Sequence, residues 1–134
     1  MGAPRPVFLC AAACFAVLYG GCGTSLAVLR GRPAVSTNQG RPLYMLVRAV
    51  SREAYLAESF QEVTGKVLAP DKSVLRVHAI HPGHRTWLLL GVPKKSPLAL
   101  YFLFAKPAYS WRLFIDAPVP ALITVELEDH RIKP

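Results

Sequence analysis

The chain has 134 residues, twelve prolines and a net charge of +8 at pH 7. Prolines at this density exclude a helical bundle, because a proline inside a helix costs about 3 kcal/mol. The positive charge favours anionic partners such as sulfated glycans or acidic protein faces, with a charge that serves only solubility as an equal alternative.

The N-terminal segment has the pattern of a secretory signal peptide. Arg5 precedes an apolar stretch without charged residues over positions 7–29, and Ser25 and Ala27 place small residues where a signal peptidase reads. This pattern predicts a signal peptide over residues 1–27 and a secreted, extracellular protein. The alternative is an uncleaved signal anchor over positions 7–29, which would give a type II membrane protein, because about 20 apolar residues cross a bilayer.

The cysteines and the domain limits follow from this processing. Cys10, Cys14 and Cys22 all lie in the predicted signal peptide, so a mature chain cleaved after it would have no disulfide. Residues 28–41 are rich in Gly, Arg, Ser and Pro and are predicted to form a flexible leader. The remaining residues, 42–130, are predicted to form a single domain.

That domain is predicted to be all-β, an antiparallel β-sandwich of short strands. Short β-prone runs alternate with turns that contain Pro or Gly, which is typical of a sandwich. One short helical turn is predicted near residues 52–60, where Ser51 is a suitable N-cap. The β-prone runs lie at 43–50, 56–60, 63–68, 74–80, 86–92, 98–104, 109–115 and 121–127.

Three histidines, His78, His81 and His84, are the weak candidates for a metal site. Zinc requires three or four ligands that converge on one point. The Pro-Gly pair at positions 82–83 interrupts any helix that would align them. The favoured interpretation is therefore a turn between two strands, with no metal and no cofactor.

The sequence gives little support to catalysis or to nucleic-acid binding. It has no Gly-x-Ser-x-Gly motif and no P-loop, and the predicted mature chain has no cysteine to act as a nucleophile. Its basic residues are scattered rather than interleaved with aromatic residues on one face, which argues against nucleic acid as a partner. We therefore expect a protein that is not an enzyme.

Three segments within residues 53–125 resemble a known family. They read YLAESFQEVTG, VLRVHAI and TWLLLGVPKKSPLALYFLFAKPAYSWRLFI, and their order is similar to that of the membrane-distal orphan domains of betaglycan and endoglin, co-receptors of the transforming growth factor-β family. Lys66 stands where that family carries a cysteine, so its disulfide is missing here. The matching positions are Leu56 to Phe60, Gly65, Val77, His78, Trp87 to Leu90, Ser96, Pro97, Tyr101 to Phe104, Pro107 and Trp111.

The resemblance implies a soluble, non-enzymatic modulator that binds a growth factor of the transforming growth factor-β family, with heparan sulfate as a possible further partner. Binding would use edge-strand pairing or an apolar patch flanked by basic residues. The alternative is a basic accessory protein, membrane-anchored or secreted, that binds glycans or anionic surfaces through its charge. The candidate ligand-binding residues are Leu43, Tyr44, Leu46, Val47, Lys94 and Lys95.

Overall fold

A computed structural model describes Gly2 and residues 23–134. This part of the chain forms two β-sheets that pack face to face, which confirms the predicted all-β sandwich. The strands are β1 (Thr24–Pro33), β2 (Leu43–Arg48), β3 (Val74–Ile80), β4 (Thr86–Pro93), β5 (Leu98–Leu103), β6 (Arg112–Ile115) and β7 (Leu122–Leu127).

The two sheets differ in size and in strand direction. The three-stranded sheet has the order β4-β1-β7, and the four-stranded sheet has the order β3-β2-β5-β6. Neighbouring strands are antiparallel, except that β1 and β7 run parallel. A parallel pair needs a long connection, and here nearly the whole domain lies between its two strands.

The main core lies between the two sheets. Strand β4 alternates buried and exposed residues along its whole length, because successive side chains of a strand point to opposite faces. Leu29 of β1, Leu90 of β4 and Val125 of β7 point inward and are at most 3% exposed. They pack in one cluster with Met45 and Phe102 of the facing sheet.

Two helices cover the outer face of the four-stranded sheet, α1 (Arg52–Ala57) and α2 (Phe60–Leu68). The hydroxyl of Ser51 accepts a hydrogen bond from the Ala54 amide at 3.2 Å, so the predicted short helix and its cap are present. The longest helix of residues 23–134 has nine residues, and none in that range has the length and hydropathy that a bilayer crossing needs.

The strands predicted over residues 56–60 and 63–68 were wrong. A capping box starts α2, because the hydroxyl of Ser59 accepts from the Glu62 amide and the Glu62 carboxylate accepts from the Ser59 amide. Such reciprocal capping satisfies two amides that a helix start leaves unpaired. It therefore outweighs the β-propensity of the residues that follow.

Residues 28–41 form β1 and the turn after it, not a flexible leader. Strand β1 is the central strand of the three-stranded sheet and pairs on both sides. In the following turn, Thr37–Gly40, the buried Asn38 adopts a positive φ of 52°. Its side-chain oxygen accepts from the Ala105 amide at 2.8 Å, and its side-chain nitrogen donates to the Arg41 carbonyl at 3.1 Å. The bond from Ala105 ties the segment to the rest of the sandwich.

Candidate functional site

The predicted ligand-binding edge at β2 is not an edge. β2 lies between β3 and β5, so its backbone groups are paired on both sides. Leu43, Leu46 and Val47 are at most 4% exposed and belong to the core, and only Tyr44 is exposed. Edge-strand pairing is therefore not open to these residues, because no free backbone groups remain.

Lys94 and Lys95 lie in the turn between β4 and β5, next to the start of β1. The Lys94 amide donates to the Gly23 carbonyl at 3.1 Å. The aliphatic stem of the Lys94 side chain crosses directly over Gly23, close enough that a Cβ on this glycine would lie 2.7 Å away. These two cations therefore stand where the chain enters the described fold.

The three histidines lie at the predicted turn between two strands. His78 is half-buried on β3, opposite Met45, while His81 and His84 are exposed in the turn. Burial lowers the pKa of His78, and the nearby charges of Arg76 and His81 act in the same direction. Within residues 23–134, no three His, Cys, Asp or Glu side chains come close enough to hold a metal ion.

The outward surface of the three-stranded sheet, which we call the bare face, carries exposed apolar side chains. Val28 of β1 stands between Leu89 of β4 and Leu122 of β7 in the strand register. Leu89 is 58% exposed and Leu122 is 51% exposed. Leu26 lies two residues before Val28, on the same face of β1, and is 65% exposed. These four residues form a continuous apolar patch at the end of the sheet where β1 starts.

Polarity increases along the bare face away from that end. In the next row the Arg30 guanidinium carbon lies 5.2 Å from the centre of the Trp87 ring, and Arg30 Nη2 donates to Thr124 Oγ1 at 3.1 Å. One row further, Arg32 Nη1 lies 3.9 Å from Glu126 Oε1. The face is thus apolar at the start of β1, mixed in the middle and charged at its far end.

A groove of about 490 Å³ opens between β6, β7 and the C-terminal residues. Leu113, Val125 and Ile132 line its apolar wall, and the Ile132 amide donates to the Ser110 carbonyl at 2.7 Å. Lys133 Nζ lies 3.4 Å from Glu126 Oε2 at its rim. The groove therefore combines an apolar wall with a charged rim.

A buried ion pair fixes the helices to the four-stranded sheet. Arg48 Nη1 lies 2.6 Å from Glu58 Oε2, and the Arg48 side chain is only 3% exposed. Arg48 Nε donates to Ser73 Oγ at 2.9 Å, and its guanidinium carbon lies 5.6 Å from the centre of the Tyr101 ring. Every strong contact of Arg48 is internal, so this cluster is a structural support of the fold.

Comparison with known proteins identifies the family. The sequence model of the family described as IglE, N-terminal domain, matches residues 44–127. The chain therefore belongs to the IglE N-terminal domain family. A search of curated proteins finds no significant match.

Three solved structures have the same fold. The type VI secretion system (T6SS) lipoprotein TssJ1 from Pseudomonas aeruginosa aligns with a TM-score of 0.63 at 14% identity, over 82% of this chain and 94% of its own. A chain of the structure described as the T6SS protein TssM C-terminal domain from EAEC aligns with a TM-score of 0.62 at 12% identity, over 82% of this chain and 95% of its own. Serratia marcescens Lip is described as a membrane bound component of the Type VI Secretion System. It aligns with a TM-score of 0.59 at 12% identity, over 83% of this chain and 96% of its own.

These findings overturn the resemblance to the betaglycan and endoglin orphan domains. The family match at residues 44–127 spans the same stretch, 53–125, on which that resemblance was based. The resemblance relied on apolar strands and proline turns, which unrelated β-sandwiches share. A transforming growth factor-β ligand, heparan sulfate as a partner and a co-receptor-like function were therefore wrong predictions.

Proposed function

We propose that the chain is a non-enzymatic, membrane-anchored lipoprotein of a type VI secretion apparatus. The observation that carries this proposal is the family match, joined to solved structures that are all described as T6SS components. Two of them are described as a lipoprotein and as membrane bound. Each alignment covers at least 94% of the other chain, so the likeness extends over the whole fold of each neighbour.

Cys22 is the residue that would carry the lipid. It follows an apolar segment without charged residues, and Gly20 and Gly21 directly precede it. Small residues before the cut are what a signal peptidase reads. Cleavage before Cys22 would make this cysteine the first residue of the mature chain. Its thiol would lose a proton and form a thioether with a diacylglyceryl group from a membrane phospholipid, whose phosphate-linked head group leaves.

The position of β1 supports a cut before Cys22 rather than after Ala27. Strand β1 begins at Thr24, so the earlier cut would leave it whole. The later cut would remove four of its eight residue pairs with β4. It would also remove Ala27, which is 2% exposed and belongs to the core.

A diacylglyceryl group provides enough membrane affinity to hold the protein. One acyl chain gives only reversible binding, at about 0.8 kcal/mol for each buried methylene, and stable attachment takes two such signals. Two chains on Cys22 meet that requirement without a membrane-spanning helix.

Metabolic labelling with a palmitate analogue tests the anchor. The full chain is expressed in a bacterium that carries a type VI secretion system, and Cys22→Ser is compared with Cys10→Ser and Cys14→Ser. The two control cysteines lie in the same apolar segment. We expect the wild type and both controls to be labelled and recovered with membranes, and Cys22→Ser to lose the label. A labelled Cys22→Ser chain, or an unlabelled wild type, would contradict the proposal.

The partners of this proposal are other proteins of the secretion apparatus. An affinity-tagged full chain, solubilised from membranes in detergent, should enrich type VI secretion proteins over a tagged, unrelated lipoprotein. The same enrichment should fall for Cys22→Ser, because that chain would lack the lipid anchor that this proposal requires. Equal recovery with both baits would argue against a role in the apparatus.

A further inference from the structure

We propose that the apolar end of the bare face lies against the lipid surface beside the anchor, so that the three-stranded sheet is the membrane-facing side of the protein. This inference rests on the proposed membrane anchor at Cys22. It adds an orientation, because a lipid on a cysteine by itself leaves the domain free to tumble.

The apolar patch formed by Leu26, Val28, Leu89 and Leu122 is the first argument. All three leucines of the patch are more than half exposed, and Leu89 and Leu122 flank Val28 on the two adjacent strands. Contiguous exposed apolar patches on a soluble surface mark contact with a partner or with a membrane. The corresponding face of the four-stranded sheet is covered by α1 and α2, whereas no element of the described range 23–134 covers the bare face.

The position of the patch favours lipid as its cover. Leu26 follows Cys22 by four residues, which corresponds to about 13 Å of extended chain. Apolar groups of surface-bound proteins reach about 5–10 Å into the boundary between head groups and acyl chains. A lipid held at Cys22 therefore keeps this end of the sheet within reach of the bilayer.

Charge at the same end complements a membrane surface. Lys94 and Lys95 stand beside the start of β1, with the stem of Lys94 crossing Gly23. Lysines near a bilayer attract anionic head groups, and their aliphatic stems can lie along apolar surface. A protein partner on this face would need acidic groups to meet the same two cations.

The order of polarity along the bare face fits an interface with lipid. The apolar row lies nearest the anchor, Trp87 comes next, and the Arg32–Glu126 pair lies furthest away. Tryptophan is enriched at the level of the lipid head groups, where its ring meets apolar and polar surroundings together. Trp87 is 59% exposed and is thus placed to report on lipid contact.

Tryptophan quenching by brominated lipid tests the inference on the full, lipidated chain. The protein is purified from membranes in detergent and reconstituted into vesicles of phosphatidylethanolamine and phosphatidylglycerol with brominated acyl chains. The chain has two tryptophans, so Trp111→Phe leaves Trp87 as the single reporter. Trp87→Phe is the matched control, because its remaining Trp111 lies between Phe60 of α2 and Tyr101 of the four-stranded sheet.

On transfer from detergent to these vesicles, we expect the emission of Trp87 to shift to shorter wavelength and to be quenched by the brominated chains. The emission of Trp111 should show neither change. The double variant Leu89→Ser/Leu122→Ser should lose the quenching while the chain still floats with the vesicles. If Trp111→Phe does not fold, the quenching lost by Trp87→Phe relative to the wild type gives the same quantity.

Flotation separates the two proposals. A chain that floats with Trp87 unquenched overturns the orientation and leaves the anchor intact. A chain that does not float overturns the anchor and the orientation together.

Discussion

The outer faces of the two sheets differ in what covers them. On the four-stranded sheet, Val63 of α2 is fully buried against the strands, and Tyr55 of α1 lies 5.1 Å from the Phe114 ring. On the three-stranded sheet, Trp87 and Leu89 have no such cover within the described residues 23–134. Within residues 23–134, one sandwich thus holds a face closed by its own helices and a face that no other element covers.

Strands β5 and β4 show the difference in their burial patterns. Five of the six residues of β5 are buried, because the core covers one face and the helices cover the other. β4 alternates buried and exposed residues along its length. Both strands are apolar in sequence, so an apolar run alone does not tell whether both faces are covered.

Removing a large side chain from the covered face should cause the largest loss of stability. Tyr101 is fully buried on β5, whereas Tyr109 is 91% exposed. We expect Tyr101→Ala to lower the free energy of unfolding by about 4 kcal/mol, since it leaves a cavity. Tyr109→Ala should change it by less than about 0.5 kcal/mol. Equal losses in urea unfolding would mean that the helices do not pack on this face.

Two neighbouring leucines of β4 separate the inward side of the three-stranded sheet from the bare face. Leu90 is 2% exposed and Leu89 is 58% exposed. Leu90→Ala should cost about 3 kcal/mol in unfolding free energy. Leu89→Ala should cost less than about 0.5 kcal/mol in detergent-free solution. A large cost at Leu89 would show that the chain itself covers this face.

The buried pair Arg48–Glu58 should contribute more to the free energy of unfolding than the exposed pair Arg52–Asp116 nearby. Arg48→Met leaves the Glu58 carboxylate without its main partner and should cost about 2 kcal/mol, at the low end for a buried pair because Glu58 retains some contact with water. Arg52→Met breaks an exposed pair with Asp116 and should cost less than about 1 kcal/mol. A double-mutant cycle with Glu58→Gln isolates the pair, and a coupling near zero would contradict its structural role.

The smallest expected effect is a pH dependence from His78. Its pKa in the folded protein is lowered from 6.5, so the unfolded chain binds more protons near that pH. Its contribution to stability should be present above pH 6.5 and be lost as the pH falls through the folded pKa. His78→Gln should flatten the pH dependence of unfolding between about pH 7 and 5. His84→Gln, in the exposed turn, is the control, and a steeper profile for His78→Gln would reverse the sign.

The structure separates the predicted ligand-binding residues. Lys94 and Lys95 lie at the end of the bare face that we propose to meet lipid, whereas Leu43, Leu46 and Val47 are core residues. A single sequence shows that β2 is apolar and does not show its neighbours. Whether an apolar strand is internal or at an edge depends on which strands pair with it, and those lie about 30 and 55 residues away.

The sequence by itself determined the all-β class, the cap at Ser51 and the strands around 74–80, 86–92 and 98–104, because these depend on local propensity and on turns made by proline and glycine. The tertiary structure decided the place of β1. Its Gly, Arg and Pro residues predict a leader, yet Val28 pairs with Leu89 and with Leu122. The formation of the bare face also depends on tertiary structure, because it joins β1, β4 and β7. Contacts between residues so far apart in the chain leave no local pattern that identifies them.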